Sequence, residues 1–183
     1  MPQPLAALVE EVASLLQQSR RRVVFAESCT AGLVAASFAR VPGISEFLCG
    51  SAVVYRLDTK ARWLGISEEL LANPGPVSDA VARAMAIGVL ARTPEADLAA
   101  SITGHLGPDA PSDQDGLIFI GIARRDPEAT QGVTVYVYED HLPSGNFAVP
   151  EFREFTLREQ RQWLAVERVL TYLRSTLSNL LDP

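Results

Sequence analysis

The stretch Val23-Val24-Phe25-Ala26-Glu27-Ser28-Cys29-Thr30-Ala31-Gly32, followed by Leu33-Val34-Ala35-Ala36-Ser37-Phe38-Ala39, decides the fold. Its four leading apolar residues, two of them β-branched, read as a short buried strand. Glu27, Ser28 and Thr30 interrupt the apolar run, and residues 33–40 then take helical spacing with no breaker. A strand that opens into a helix this way puts Ser28 at the carboxyl edge of a sheet, where open α/β folds keep their ligands. Free N–H groups at the start of the next helix are expected to face the same spot and serve as oxyanion donors. Serine and threonine are also ordinary helix caps, and the flanking residues do not make a GxSxG elbow. Cys29 stands beside Ser28 as a rival nucleophile, or as a small buried apolar side chain.

Outward from this stretch, strands and helices alternate. Residues 5–18 carry apolar side chains at Leu5, Leu8, Val9, Val12, Leu15 and Leu16, one face of a helix. Residues 47–55 read as a second strand, ending at Tyr55 and running into a short amphipathic helix that carries Lys60 and stops at Gly65. An alanine-rich helix over 77–90 precedes a third strand at 98–102, which enters the Gly/Pro/Ser-rich loop 103–112. Residues 117–123 and 133–138 alternate as strands that pair as a hairpin, 152–155 is a candidate edge strand, and a long helix over 158–181 closes the chain. The fold class expected is a three-layer α/β/α sandwich with a mixed, mostly parallel sheet, one domain over residues 1–183.

The 183 residues suit one sizeable core, and 48% hydrophobic with 21% charged residues argues against disorder. A formal charge of −6 leaves no basic excess for a broad nucleic-acid face. Two cysteines are too few for a disulfide framework or a zinc cluster. No apolar run reaches membrane-spanning length and the first residues lack a cationic leader, so a cytoplasmic protein with neither membrane nor nucleic-acid partner is expected.

Three strand ends carry polar residues in apolar surroundings: Ser28 with Thr30, Tyr55 with Lys60, and Thr103 with Gly104 and Gly107. On neighbouring strands these ends converge on one crevice. A serine hydroxyl needs a base, and a lysine serves when desolvation lowers its pKa, with Tyr55 near enough in sequence to relay the proton. His105 and His141 both sit in loops and read as loop or surface residues rather than triad members.

The blocks Ala26-Glu27-Ser28-Cys29-Thr30-Ala31-Gly32 and Val41-Pro42-Gly43-Ile44-Ser45 resemble the CinA C-terminal domain family, as do Tyr55 with Lys60, Leu64-Gly65, Val77-Ser78 with Met85, and Ile102-Thr103-Gly104 with Gly107-Pro108-Asp109. The resemblance covers about three quarters of the chain. It implies hydrolysis of the carboxamide of nicotinamide mononucleotide to nicotinate mononucleotide and ammonia, with no cofactor or metal, a small-molecule nucleotide as substrate, and a homodimer or higher homo-oligomer. Carried over by position, Ser28 is the nucleophile and Lys60 with Tyr55 the base system. Glu27, Thr30, Gly32, Ser45, Thr103 and Gly104 become the substrate-binding residues, and helix N-terminal N–H groups with an arginine hold the phosphate. The family's Gly-Gly is Ala31-Gly32 here, its Tyr-Ser-Asn is Tyr55-Arg56-Leu57, and its Gly-Pro-Asp-Gly-Gly is Gly107-Pro108-Asp109-Ala110-Pro111. Its Gly-Asp-Arg is missing, which leaves Arg153, Arg158 and Arg161 as candidates for the arginine. These departures keep two further readings open: a catalytically silent nucleotide-binding or dimer-forming relative, and an amidase for another small carboxamide.

Overall fold

The computed structural model describes residues 1–144 and 155–181. In chain order the elements are α1 (Gln3–Ser19), β1 (Val23–Glu27), α2 (Leu33–Phe38), β2 (Leu48–Val53), α3 (Leu57–Leu64), α4 (Glu68–Ala72), α5 (Asp79–Ala91), β3 (Leu98–Gly104), β4 (Leu117–Arg125), β5 (Val133–His141) and α6 (Leu157–Leu181). A single 3-10 turn at Ile44–Glu46 precedes β2. The strands form one sheet in the order β2-β1-β3-β4-β5. β1 is parallel to both neighbours, whereas β3–β4 and β4–β5 are antiparallel. Four of the five strands thus run one way and β4 runs against them, which is the mixed sheet that the late hairpin implied.

Side chains alternate along each strand and separate two cores. Phe25, Ala100, Ile102, Ile118, Ile120 and Ile122 face α1, α2 and α6, while Val24, Ala26, Ala99 and Ala123 face α3, α4 and α5. The residues on the second face are small, so the alanine-rich α5 lies close against the sheet. A Cβ on Gly121 would stand 2.7 Å from both the Ala82 carbonyl oxygen and Ser101 Oγ. Ser101 is satisfied there: its hydroxyl donates to Ala82 O at 2.7 Å and accepts from Gly121 N–H at 3.2 Å. Serines at the entry to α4 and α5 (Ser67 and Ser78) each accept a backbone N–H as helix caps.

The edge strand expected over 152–155 lies, up to residue 154, outside the described residues. Among the described residues no helix is long and apolar enough to cross a membrane.

Candidate functional site: a serine–lysine pair in a cleft at the carboxyl edge of the sheet

The last residues of β1 stay inside the backbone ladder. Ser28 N–H donates to Ile102 O on β3 at 3.1 Å, and Val54 N–H donates to Glu27 O at 2.8 Å. Ser28 is therefore held from both sides at the point where the chain leaves the sheet. The turn that follows reverses through two residues of positive φ, Ala31 at 53° and Gly32 at 95°. Glycine accepts this conformation freely, whereas alanine is strained in it.

That reversal folds the chain back over the Glu27 carboxylate, which is 1% exposed. One carboxylate oxygen accepts from Thr30 Oγ1 (2.8 Å), Gly32 N–H (2.9 Å) and Val34 N–H (3.0 Å). The other accepts from Ala35 N–H (3.0 Å) and Ser51 Oγ (2.9 Å). This corrects the sequence reading on three counts. The first N–H groups of α2 are occupied by Glu27 and do not face a ligand. Glu27 is a buried cap for α2 rather than a substrate contact. Thr30 and Gly32 direct their polar groups at that carboxylate and do not line the cleft.

Lys60 reaches Ser28 from the second turn of α3. Its amine is 2.7 Å from Ser28 Oγ and donates to Val54 O at 2.9 Å. The residue is 2% exposed. Burial lowers its pKa from 10.5 to about 8. A buried amine without a carboxylate partner loses its proton more readily because the interior solvates the ammonium poorly. Burial acts the opposite way on the neighbouring Cys29 thiol, pushing it up to about 12. Cys29 is thus a neutral thiol with 4% exposure, which makes it a weak rival to the serine.

A cleft of about 520 Å³ opens in front of this pair, lined among others by Ser28, Lys60, Thr103, Gly104, His105 and Arg158. Thr103 is buried and its hydroxyl donates to Pro76 O at 2.8 Å, which ties the end of β3 to the entry of α5. Gly104 passes so close to β4 that a Cβ would stand 2.6 Å from Ile118 Cγ2.

Two further expectations are corrected. Tyr55 is 54% exposed at the rim, and its hydroxyl accepts from Arg158 Nη2 at 2.8 Å instead of contacting the amine. Ser45 lies in the turn before β2, at the amino edge of a strand parallel to β1, and lines a different depression with Arg20, Arg22 and Asp97. Parallel strands put a residue that precedes one and a residue that follows the other at opposite edges.

Among the candidate arginines, Arg153 lies outside the described residues. Arg158 faces the cleft and donates to Gly107 O at 2.5 Å as well as to Tyr55. Arg161, one turn on, is fully buried and forms a bidentate pair with Asp115 at 2.7 Å for each bond, with Nε donating to Pro143 O at 3.0 Å. Its guanidinium holds the Asp115 carboxyl below the usual carboxylate range. It fills the space beside Gly107 and Gly116 that any side chain there would claim. Residue order alone does not tell the two arginines apart; helix phase separates them only once the loop they meet is known. His105, read as a loop residue, lines the cleft.

Fold and site together define an α/β protein whose sheet edge carries a buried serine–lysine pair at the mouth of a polar cleft. Residues 5–140 match the family model of the CinA C-terminal domain, and the chain belongs to that family. A CinA-like protein of Thermosynechococcus vestitus is 35% identical over 91% of this chain and 36% of its own length. One from Syntrophotalea carbinolica is 33% identical over 94% of this chain and 38% of its own. The chain thus spans about a third of the length of the curated relatives it matches. Among solved structures, the competence damage-inducible protein A of Klebsiella pneumoniae superposes with a TM-score of 0.80 at 25% identity, covering 94% of this chain and 96% of that one. The competence/damage inducible protein of Agrobacterium tumefaciens does so with 0.78 at 26% identity, covering 97% and 98%.

Proposed function

We propose that the chain is a metal-independent amide hydrolase that converts the carboxamide of nicotinamide mononucleotide to the carboxylate, releasing ammonia. The observation that carries this reading is the 2.7 Å contact between a buried lysine amine and Ser28 Oγ. With a pKa of about 8, the amine is already neutral in roughly one molecule in ten at pH 7. Neutral Lys60 takes the Ser28 proton as the oxygen attacks the amide carbon. Backbone N–H groups of the turn after Ser28, and not those of α2, hold the oxyanion. The lysine ammonium returns its proton to the departing nitrogen, so that ammonia leaves and an acyl ester on Ser28 remains. Water then attacks the ester, Lys60 takes its proton, and the acid departs as the serine is reprotonated. The family membership and the buried Ser28–Lys60 contact favour this over a silent relative.

The test is ammonia release from nicotinamide mononucleotide by the wild-type chain and by Ser28→Ala. Turnover is expected to fall by about 10⁴ to 10⁶ in the variant while its circular dichroism is unchanged. Undiminished release from Ser28→Ala would remove the serine, and no release by wild type across the pH range would remove the reaction.

A further inference from the structure

His105 is among the cleft side chains that the mechanism leaves unused. It lines the cleft together with Ser28, Lys60 and Arg158, and its ring has no hydrogen-bond partner among the described residues. The backbone of His105 is nevertheless fixed. Its N–H donates to Leu117 O at 2.8 Å, and its carbonyl accepts from Gly116 N–H at 2.9 Å, so the loop leaves β3 still paired with β4. A half-buried polar residue on a pinned backbone, lining a cleft and with no side-chain partner among the described residues, is a group available to a ligand.

The charges around it say what that ligand carries. The lining includes Lys60, Cys29 with its buried neutral thiol, Tyr55, Arg158 and the exposed Asp109. Lys60 is engaged with Ser28 at the inner end. Arg158 is hydrogen-bonded only to neutral groups, the Tyr55 hydroxyl and the Gly107 carbonyl, so its charge is unbalanced by any direct partner among the described residues. Asp109 is solvent-exposed, where its field is screened. The α2 terminus, the other natural anion receptor near Ser28, is closed by Glu27. The anion-binding capacity of the cleft therefore lies with Arg158 and the loop that carries His105.

We propose that His105 is a specificity-determining residue whose ring N–H donates to a terminal phosphate on the amide substrate while Arg158 takes the other oxygens. A neutral imidazole carries one donor, which suffices for this role. This rests on reading the cleft as a nucleotide amide site.

The experiment is calorimetric titration of the Ser28→Ala protein, which binds without turning over, with nicotinamide mononucleotide and with the corresponding nucleoside that lacks the phosphate. Adding His105→Ala is expected to weaken mononucleotide binding about tenfold, the value of one charge-assisted hydrogen bond. Nucleoside binding should change by less than about twofold, because the lost contact is to the phosphate. His105→Asn keeps a donor and should recover part of the loss. Equal loss on both ligands would make His105 a shaper of the loop and overturn the assignment, as would no loss, or no binding of the mononucleotide at all. The two readings separate cleanly. Phosphate-selective binding through His105 alongside a wild type that releases no ammonia would end the deamidase reading alone. Active enzyme with binding indifferent to His105 would end this one alone.

Discussion

Glu27 and Lys60 lie on either side of Ser28, both almost entirely buried, and they are finished differently. The Glu27 carboxylate accepts five hydrogen bonds, three from backbone N–H groups and two from hydroxyls. The Lys60 amine touches two oxygens and no carboxylate. A buried carboxylate saturated with donors holds structure. A buried amine denied a counter-charge shifts its proton affinity toward neutrality and becomes available for chemistry. On the proposed mechanism the pair divides the work around one serine: the carboxylate fixes the turn and the amine moves a proton.

The largest test of that division is Lys60→Met. It is expected to lower ammonia release by about 10³-fold or more while the protein stays folded, since the amine does chemistry and not scaffolding. Glu27→Ala should do the reverse in kind. It strands three N–H donors and two hydroxyls, at a cost of about 3–5 kcal/mol in chemical denaturation. A folded, stable Glu27→Ala protein would dissolve the contrast. A third measurement sharpens the Lys60 side through linkage. The folded pKa of about 8 lies below the 10.5 of the free side chain. Between those values the unfolded chain binds the proton and the folded chain does not, so stability rises with pH there and the burial penalty is greatest below pH 8. Denaturation of wild type against Lys60→Met should show the difference shifting in favour of wild type by about 1–3 kcal/mol across that window. Turnover should rise over the lower part of the same range as the amine deprotonates. The smallest effect belongs to Ala31, whose φ of 53° strains an alanine. Ala31→Gly is expected to stabilise by about 0.5–1 kcal/mol, read as a modest rise in Tm, with activity kept.

Much of the molecule was legible from residues alone. The apolar run 23–26 followed by small helical residues marks β1 and α2, and the alternation at 117–123 and 133–138 marks a hairpin whose register runs from Leu117 opposite His141 to Arg125 opposite Val133. Ser28, Lys60 and Thr103 were placed at strand ends, and those ends meet. What failed depended on how the chain turns in three dimensions. Glu27 reaches donors five, seven and eight residues ahead only because positive φ at Ala31 and Gly32 curls the turn back over it, and no linear spacing rule encodes that. Tyr55 and Lys60 are close in sequence, but the side chains of Lys60 in α3 and Tyr55 ahead of it point to different places, one inward and one to the rim. Ser45 was recoverable: it precedes its strand where Ser28 follows its own, and counting ends of parallel strands would have set them apart.

The peptide units at 53–54 bear on how the catalytic distance is kept. Val54 gives its N–H to the Glu27 carbonyl and its own carbonyl to the Lys60 amine. Val54, the residue that follows the edge strand β2, therefore acts as a gauge block between the Glu27 backbone and the Lys60 amine. Any force that slides β2 along β1, such as a substitution in that strand, is transmitted through Val54 to the gap between nitrogen and oxygen. In the proposed reaction, where proton transfer fades over a few tenths of an ångström, control of rate need not come from the cleft at all.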